Sequence, residues 1–364
     1  SACELSADKY AASLAIELKK QQPDLTIIGI GSDASKAAGI DVKFDMTTLS
    51  TVGIIEPLRY LPKILLNMYR VKKILKEEKP DVFIPIDNQG FHMMCCKYAK
   101  KLTIPTYYFI APQHWHWGTK KQGQAVCRVV DKILAIFPQE AQFYQRCGGN
   151  VTFVGHPSTD RVRPLRDQQH KEPILALFPG SRKQEIERLL PLFLTSVSKF
   201  CAKHQLRCVV SSASSQYTKL IKSIIDQFES KINIELYTDD ALTLMAKAKL
   251  SLVTSGTVSL ENALMKVPHV IAYKFNPITY WLATTFFKKT LAKIPFMGMP
   301  NIMLNSEVFP ELLQHNATPV AIEKALDLVL TKRYQSIVTK CDNLWETLNK
   351  GKVSQQCAKA VLKD

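Results

Sequence analysis

The feature that most restricts this chain is an alternation. Short apolar runs at residues 25–30, 82–86, 106–110, 133–136 and 151–154 are separated by stretches with helical spacing. After a polar, charged, proline-bounded segment at 157–173 the plan repeats, with runs at 174–178, 208–211, 233–236, 250–253 and 270–273. Runs this short and this apolar suit strands buried on both faces of a parallel sheet, and parallel strands need crossovers long enough to hold a helix. The expectation is an α/β chain of two Rossmann-like domains, residues 1–160 and 161–332, with 157–173 as linker and 333–364 as C-terminal helices. A length of 364 residues suffices for two cores. Residues 8–20 read as a helix with no apolar run ahead of it, so the first strand of the first domain is expected to be missing. Two such domains would hold a ligand in a cleft beyond the C-terminal ends of their strands.

Two of the runs end in loops suited to anions. Residues 174–178 lead into Pro179-Gly180-Ser181-Arg182, and 250–253 lead into Thr254-Ser255-Gly256-Thr257. Each loop opens a helix, whose first N–H groups lack intrahelical partners and sit at the positive end of the dipole. Ser181 reads as a helix cap with Gln184 as its capping-box partner, Gly180 admits close backbone approach, and Arg182 offers a fork for phosphate. Glu261, one turn beyond Thr257, is placed to accept ribose hydroxyls. The plainer alternatives are a capped surface helix with a solvated arginine, and a glutamate favoured by the dipole of its first turn. Two strand–loop–helix sites in one half suggest a diphosphate with a sugar attached.

Asp87 follows the apolar run 82–86 directly, at a strand end that faces the expected cleft, and is the candidate general base; a turn-forming aspartate is the alternative. Glu4, Ser6 and Asp8 open the first helix, with simple capping by Ser6 as the plain reading. His114-Trp115-His116-Trp117 lacks the acid or cysteine a metal site would need, so packing of its tryptophans at the cleft or a lipid interface is expected.

The net charge of +16 favours anionic partners. RNA-binding, helix-turn-helix and zinc patterns are missing from the sequence, which argues against nucleic acid. The nine cysteines show no paired spacing and read as core residues in a reduced, cytoplasmic setting. No apolar stretch approaches the roughly 18–20 residues of a membrane span. Two segments do suit a membrane surface. One carries Ile54, Leu58, Leu61, Leu65, Met68 and Val71 beside Arg59, Lys63, Arg70, Lys72, Lys73 and Lys76. The other carries Tyr280, Trp281, Leu282, Phe286 and Phe287 beside Lys288, Lys289 and Lys293. Basic groups beside apolar ones match anionic headgroups with shallow insertion; a core-facing helix with snorkelling lysines is the alternative.

The motifs taken together resemble one family. Pro179-Gly180-Ser181-Arg182, Ser255-Gly256-Thr257 with Leu260-Glu261, Met299-Pro300-Asn301, Glu307 and Glu311-Leu312-Leu313-Gln314 are similar to motifs of the lipid-A-disaccharide synthases, inverting GT-B glycosyltransferases of family 19. So, in the first half, are Glu4-x-Ser6-x-Asp8, Val52-Gly53-Ile54-Ile55-Glu56, Pro80-Asp81-Val82-Phe83 leading to Ile86-Asp87, Pro112 with Trp115 and Trp117, and Val154-Gly155-His156-Pro157. The resemblance spans nearly the whole chain in matching order.

It implies a GT-B fold whose two domains face across a cleft. The first domain binds acceptor and lipid, the second binds UDP-sugar, and the C-terminal helices cross back or are swapped in a homodimer. It implies UDP-2,3-diacylglucosamine as donor, 2,3-diacylglucosamine 1-phosphate as acceptor, and a β-1,6-linked disaccharide 1-phosphate with UDP as products. Donor binding falls to Gly180, Ser181, Arg182, Ser255, Gly256, Thr257, Glu261 and Asn301, base catalysis to Asp87, and the acceptor side of the cleft to Glu4, Ser6 and Asp8. No cofactor or metal is implied. The expected location is cytoplasmic and peripheral, on the inner face of the bacterial inner membrane. This chain departs from the pattern at Cys3 and Ala7, where glycines are usual, and at Asn88-Gln89-Gly90, which lacks a second carboxylate. A non-catalytic UDP-sugar or lipid-binding paralogue and another UDP-sugar GT-B enzyme, such as the peptidoglycan N-acetylglucosaminyltransferase or a 2-epimerase, are the competing readings.

Overall fold

The computed structural model describes residues 1–47, 61–228, 233–276, 285 and 295–363. The chain divides into two units, one of residues 1–157 with 348–364 and one of residues 158–347. The C-terminal segment that belongs to the first unit therefore begins at Leu348, and residues 333–347 belong to the second.

The first unit carries β1 (Ile28–Ile30), β2 (Asp41–Phe44), β3 (Tyr107–Phe109), β4 (Lys132–Ala135) and β5 (Val151–Phe153). Parallel pairs join β1 to β2 and β3 through β4 to β5. Residues 82–86 lie between these groups. Single parallel bridges tie Phe83 to Thr106, Ile86 to Phe109 and Ala2 to Ile86. The run 82–86 was expected to be a full strand. Pro85 has no N–H to donate, so the ladder there is reduced to isolated bridges. Behind this sheet Cys95, Cys96, Tyr108, Ile133 and Ala135 are buried in one apolar cluster. All nine cysteines are free thiols, eight of them buried.

The second unit is a six-stranded parallel sheet of β6 (Glu172–Phe178), β7 (Arg207–Ser211), β8 (Ile234–Tyr237), β9 (Ala248–Val253), β10 (His269–Tyr273) and β11 (Glu311–Leu313). Its order is β11-β10-β9-β6-β7-β8. Leu175, Ala176 and Leu177 at its centre are fully buried, as a strand covered on both faces must be. The helix Lys183–His204 covers it with Ile186, Leu189, Phe193, Val197 and Phe200, at helical spacing. Each such side chain contributes roughly 1.5–3 kcal/mol of burial. The helix stops where Gln205 turns left-handed, at φ 53°.

Residues 157–173 are not a linker throughout. Pro157–Arg166 is a helix, entered through a proline in its first turn. Its charges anchor it: Arg166 is buried, stacks on Trp345 at 4.6 Å and donates to the Leu264 carbonyl and to Asp342 Oδ1. Polarity here marks tertiary ion pairing, not solvent. Among the described residues no helix is long and apolar enough to cross a membrane.

Candidate functional site

In the second unit the sheet winds one way from β6 through β7 to β8 and the other way from β9 through β10 to β11. The reversal lies between β6 and β9, the topological switch point at which open α/β sheets bind ligands. Phe178 and Val253, the last residues of those strands, are register partners, and Thr254 N–H donates to the Phe178 carbonyl at 3.1 Å. The loops 179–182 and 254–257 therefore leave the sheet side by side. Two sites far apart in sequence are brought together by strand pairing alone.

Both loops turn at glycines with positive φ, Gly180 at 118° and Gly256 at 151°. A side chain at Gly256 would meet open space, so its conformation, not crowding, calls for glycine. At Gly180 a Cβ would strike the Glu185 carboxylate at 2.6 Å. The capping there differs from expectation. The helix starts at Lys183 with Arg182 at its cap, and Glu185, three residues on, reaches back to accept from Ser181 N–H at 3.3 Å and from Arg182 Nη1 at 2.8 Å. Ser181 and Gln184 do not form the box. The second helix is Thr257–Leu264, preceded by Gly256, and the Ser255 hydroxyl donates to the Met297 carbonyl at 3.2 Å. That contact ties the loop to the turn before the helix Met299–Leu304.

Glu261 lies on the inner side of its helix, 5% exposed, and accepts from Arg161 Nη1 at 2.5 Å. Burial raises its pKa, and Arg161 opposes that shift. Arg161 lies in the segment expected to be a linker, and its pairing with Glu261 joins residues a hundred positions apart. Asn301 is placed differently from the expectation. It is fully buried: its Nδ2 donates to the Phe309 carbonyl and to Glu311 Oε1, both at 2.7 Å, and its Oδ1 accepts from Val308 and Phe309 N–H, both at 2.9 Å. Both polar atoms of the Asn301 side chain are thus committed within the protein. Asn301 shapes the 297–311 region with Glu311, which also accepts from Met297 N–H at 2.7 Å and Gly298 N–H at 2.9 Å.

In the first unit the expected base stands at a strained turn. Asp87 and Asn88 have φ of 55° and 48°, and Ile110, following the neighbouring β3, has 59°. Non-glycine residues adopt this region at a cost of order 1–3 kcal/mol, and such strain clusters where function requires it. The Asp87 carbonyl accepts from His92 Nδ1–H at 2.6 Å and from the Tyr108 hydroxyl at 2.8 Å, and its own N–H donates to the Phe109 carbonyl at 3.0 Å. A carbonyl only accepts, so His92 carries its proton on Nδ1, and Nε2 accepts from the Ser1 hydroxyl at 2.9 Å. Burial drives the His92 pKa down to about 3, which keeps it neutral. The Asp87 carboxylate takes Asn88 N–H at 2.8 Å; burial raises its pKa, with the Asn88 bond opposing.

The bridge from Ala2 to Ile86 brings the Cys3-Glu4 turn out of the sheet beside Asp87. The helix there starts at Leu5, with Glu4 rather than Ser6 at the cap, and Ser6 is exposed in the first turn. Asp8 does not face a ligand. It is 2% exposed and accepts from Ser32 N–H, Ala34 N–H and the Ser35 hydroxyl, sealing the start of the helix Asp33–Ala37. Glu140, unforeseen, is buried at the end of β4, where it accepts from Ile136 N–H at 2.8 Å and Phe137 N–H at 3.3 Å. Burial lifts its pKa to about 8 against those bonds. Trp115 packs on Phe137, with ring centres 5.4 Å apart, and Trp117 is exposed. Ile54, Leu58, Trp281, Phe286 and the Leu61 side chain lie outside the described residues. Leu65 is exposed with Leu66 and Tyr69 on the helix Leu61–Glu78, while Met68 and Val71 face the core, so the expected single apolar stripe is two faces.

Solved structures with this fold place the chain in a class. It superposes on the UDP-GlcNAc 2-epimerase of Neisseria meningitidis bound to UDP-GlcNAc with a TM-score of 0.62, at 12% identity and over 97% of each chain. On Acinetobacter baumannii MurG the TM-score is 0.57, at 14% identity, over 97% of this chain and 95% of that one. At such identities the likeness is one of fold: two Rossmann-like α/β units, the GT-B class. Residues 1–362 match the family described as lipid-A-disaccharide synthetase, and the chain belongs to it, a family of glycosyltransferases of lipid A biosynthesis. Among its relatives, the lipid-A-disaccharide synthase of Idiomarina loihiensis is 34% identical over 95% of this chain and 92% of its own length. That of Synechocystis is 33% identical over 99% and 94%.

Proposed function

We propose that this chain moves a 2,3-diacylglucosaminyl group from UDP to 2,3-diacylglucosamine 1-phosphate, with inversion, giving the β-1,6-linked disaccharide 1-phosphate and UDP. Family membership supports the reaction, and the observation that carries the donor site is the exit of both loops from the paired ends Phe178 and Val253. Loop amides at 180–182 and 255–257 receive the diphosphate, Arg182 neutralises it as it leaves, and Glu261, steadied by Arg161, takes the ribose hydroxyls. Asn301 serves by holding the neighbouring turn.

One displacement suffices. The bond from the anomeric carbon to the diphosphate oxygen breaks with its electron pair going to UDP, and a bond forms from that carbon to the acceptor hydroxyl oxygen. The hydroxyl proton passes to the Asp87 carboxylate. A half-buried aspartate with a raised pKa is a better proton acceptor than a solvated one. Glu4, beside it, is the acceptor-side contact.

The acylated substrates stay in a bilayer, because each buried CH₂ contributes roughly 0.8 kcal/mol. The enzyme works at the membrane surface on the inner face of the inner membrane. Exposed Leu65, Leu66 and Tyr69 beside Arg70 and Lys73 support that placement. Incubation with both acylated substrates, read by mass for the disaccharide 1-phosphate, tests the reading. Product should form at a rate proportional to enzyme. UDP binding without product would assign the chain to a non-catalytic role.

A further inference from the structure

A neutral imidazole donates from one edge of a rigid ring and accepts at the other. His92 does both, between two segments that the proposed chemistry needs. It lies in the first turn of the helix Gln89–Lys101, which opens just after Asp87 and is capped by Asn88, whose side chain accepts from Phe91 N–H at 3.4 Å. Helical side chains lean toward the N-terminus of their helix, so the ring reaches back over the turn it follows. Its Nδ1–H donates to the Asp87 carbonyl at 2.6 Å, the atom that also takes the Tyr108 hydroxyl at 2.8 Å.

The other edge faces residues 1–3. Nε2 accepts from the Ser1 hydroxyl at 2.9 Å and from the Cys3 thiol at 3.4 Å. Burial pushes the Cys3 thiol up to about 12, so it keeps the proton it donates. Cys3 leads directly into Glu4, at the start of the helix Leu5–Gln21. The ring is fully buried and packs edge-on against Phe91 and Tyr108, with centres 5.6 Å and 6.1 Å apart. Shut off from solvent, it acts only through the groups it holds.

We propose that His92 is a positioning residue: Nδ1–H fixes the Asp87 main chain, Nε2 fixes the segment that presents Glu4, and one ring thereby sets the spacing between the base and the acceptor-side turn. The proposal rests on the reading of Asp87 as base and Glu4 as acceptor contact. A phenyl ring would fill the same space, but it would hold neither end. The left-handed Asp87-Asn88 turn relaxes when its carbonyl is released, and the carboxylate moves with it. A displacement of about 1 Å at a reacting group can cost about 10² in rate.

The two ends are separable by substitution. His92→Asn keeps a donor where Nδ1 stood and loses Nε2, whereas His92→Gln keeps a polar group near Nε2 and loses the donor to Asp87. Steady-state assays with both acylated substrates should show kcat within about threefold of the parent and acceptor KM raised about tenfold for His92→Asn. For His92→Gln, kcat should fall about 30-fold with acceptor KM nearly unchanged, and donor KM should stay within about twofold in both. Because His92 is wholly buried, two smaller deletions accompany these variants. Tyr108→Phe should lower kcat about tenfold, and Cys3→Ala should raise acceptor KM about threefold. In the parent chain, ¹⁵N shifts should show His92 neutral and protonated on Nδ1. A proton on Nε2, or variants that all lose kcat in proportion to their folded fraction with KM unchanged, would overturn the proposal. Asp87→Asn, assayed alongside, separates the two failures. If it is inactive while the His92, Tyr108 and Cys3 variants match the parent, only the positioning role falls; if it turns over at the parent rate, the reading of Asp87 falls and the proposal with it.

Discussion

At the end of residues 82–86 a carboxylate is carried by a strained backbone, whereas at the ends of β6 and β9 glycines let the backbone turn without strain. In the first region Asp87 and Asn88 are both left-handed, and two side chains, His92 and Tyr108, grip the Asp87 carbonyl to keep it so. In the second, Gly180 and Gly256 adopt positive φ at no steric cost, and Ser181 N–H is held by the Glu185 carboxylate. The difference matches the tasks proposed. A base must hold one direction toward one proton, and the fixing bonds offset the strain. A diphosphate presents many equivalent oxygens and is received by several N–H groups at once.

The contrast can be broken in order of expected effect. Asp87→Asn removes proton acceptance while keeping shape, and steady-state assays should show transfer lowered about 10³-fold. If the first region is the one that performs chemistry, the acid limb of the pH profile should include the Asp87 carboxylate. The raised pKa means the carboxylate is protonated at higher pH than an ordinary aspartate, so kcat should fall on acidification above the usual carboxylate range. A limb at the ordinary aspartate position would remove the influence of burial.

Arg182→Ala should lower kcat/KM about 10²-fold, with donor KM affected more than acceptor KM. Equal effects on both would detach Arg182 from the donor. Asn301→Ala separates holding from touching: it strips bonds from two buried amides and Glu311, and should cost about 3 kcal/mol in denaturant unfolding. Unchanged stability with lost UDP binding would restore a direct contact. The smallest effect is expected at the surface. Leu65→Ser with Tyr69→Ser should weaken sedimentation with anionic vesicles a few-fold, and salt should release the parent chain. No binding at low salt would discard the membrane reading.

The apolar runs gave the interior strands because burial on both faces leaves an unbroken signal, as at Leu175–Leu177. Two edge strands escaped: β2 alternates exposed and half-buried residues, and β11 is only three residues long and opens on a glutamate. The helix Pro157–Arg166 has the composition of a linker because the partners of Arg166, Asp342 and Trp345, lie far along the chain. At the donor loops the motifs were legible and their pairing was not, since strand order is not written locally. The cap moved by one residue, from Ser181 to Arg182, and with it the partner became Glu185. Asp8 and Asn301 share a lesson: a polar residue in a motif can be fully occupied by the fold itself.

The central claim is that the nucleotide is held in the second unit and the proton is taken in the first. Calorimetric titration of UDP into the Asp87→Asn and Arg182→Ala variants tests it most directly. The account predicts parent-like affinity for the first and an affinity reduced about tenfold or more for the second. Loss of UDP binding in Asp87→Asn, with Arg182→Ala unchanged, would contradict it.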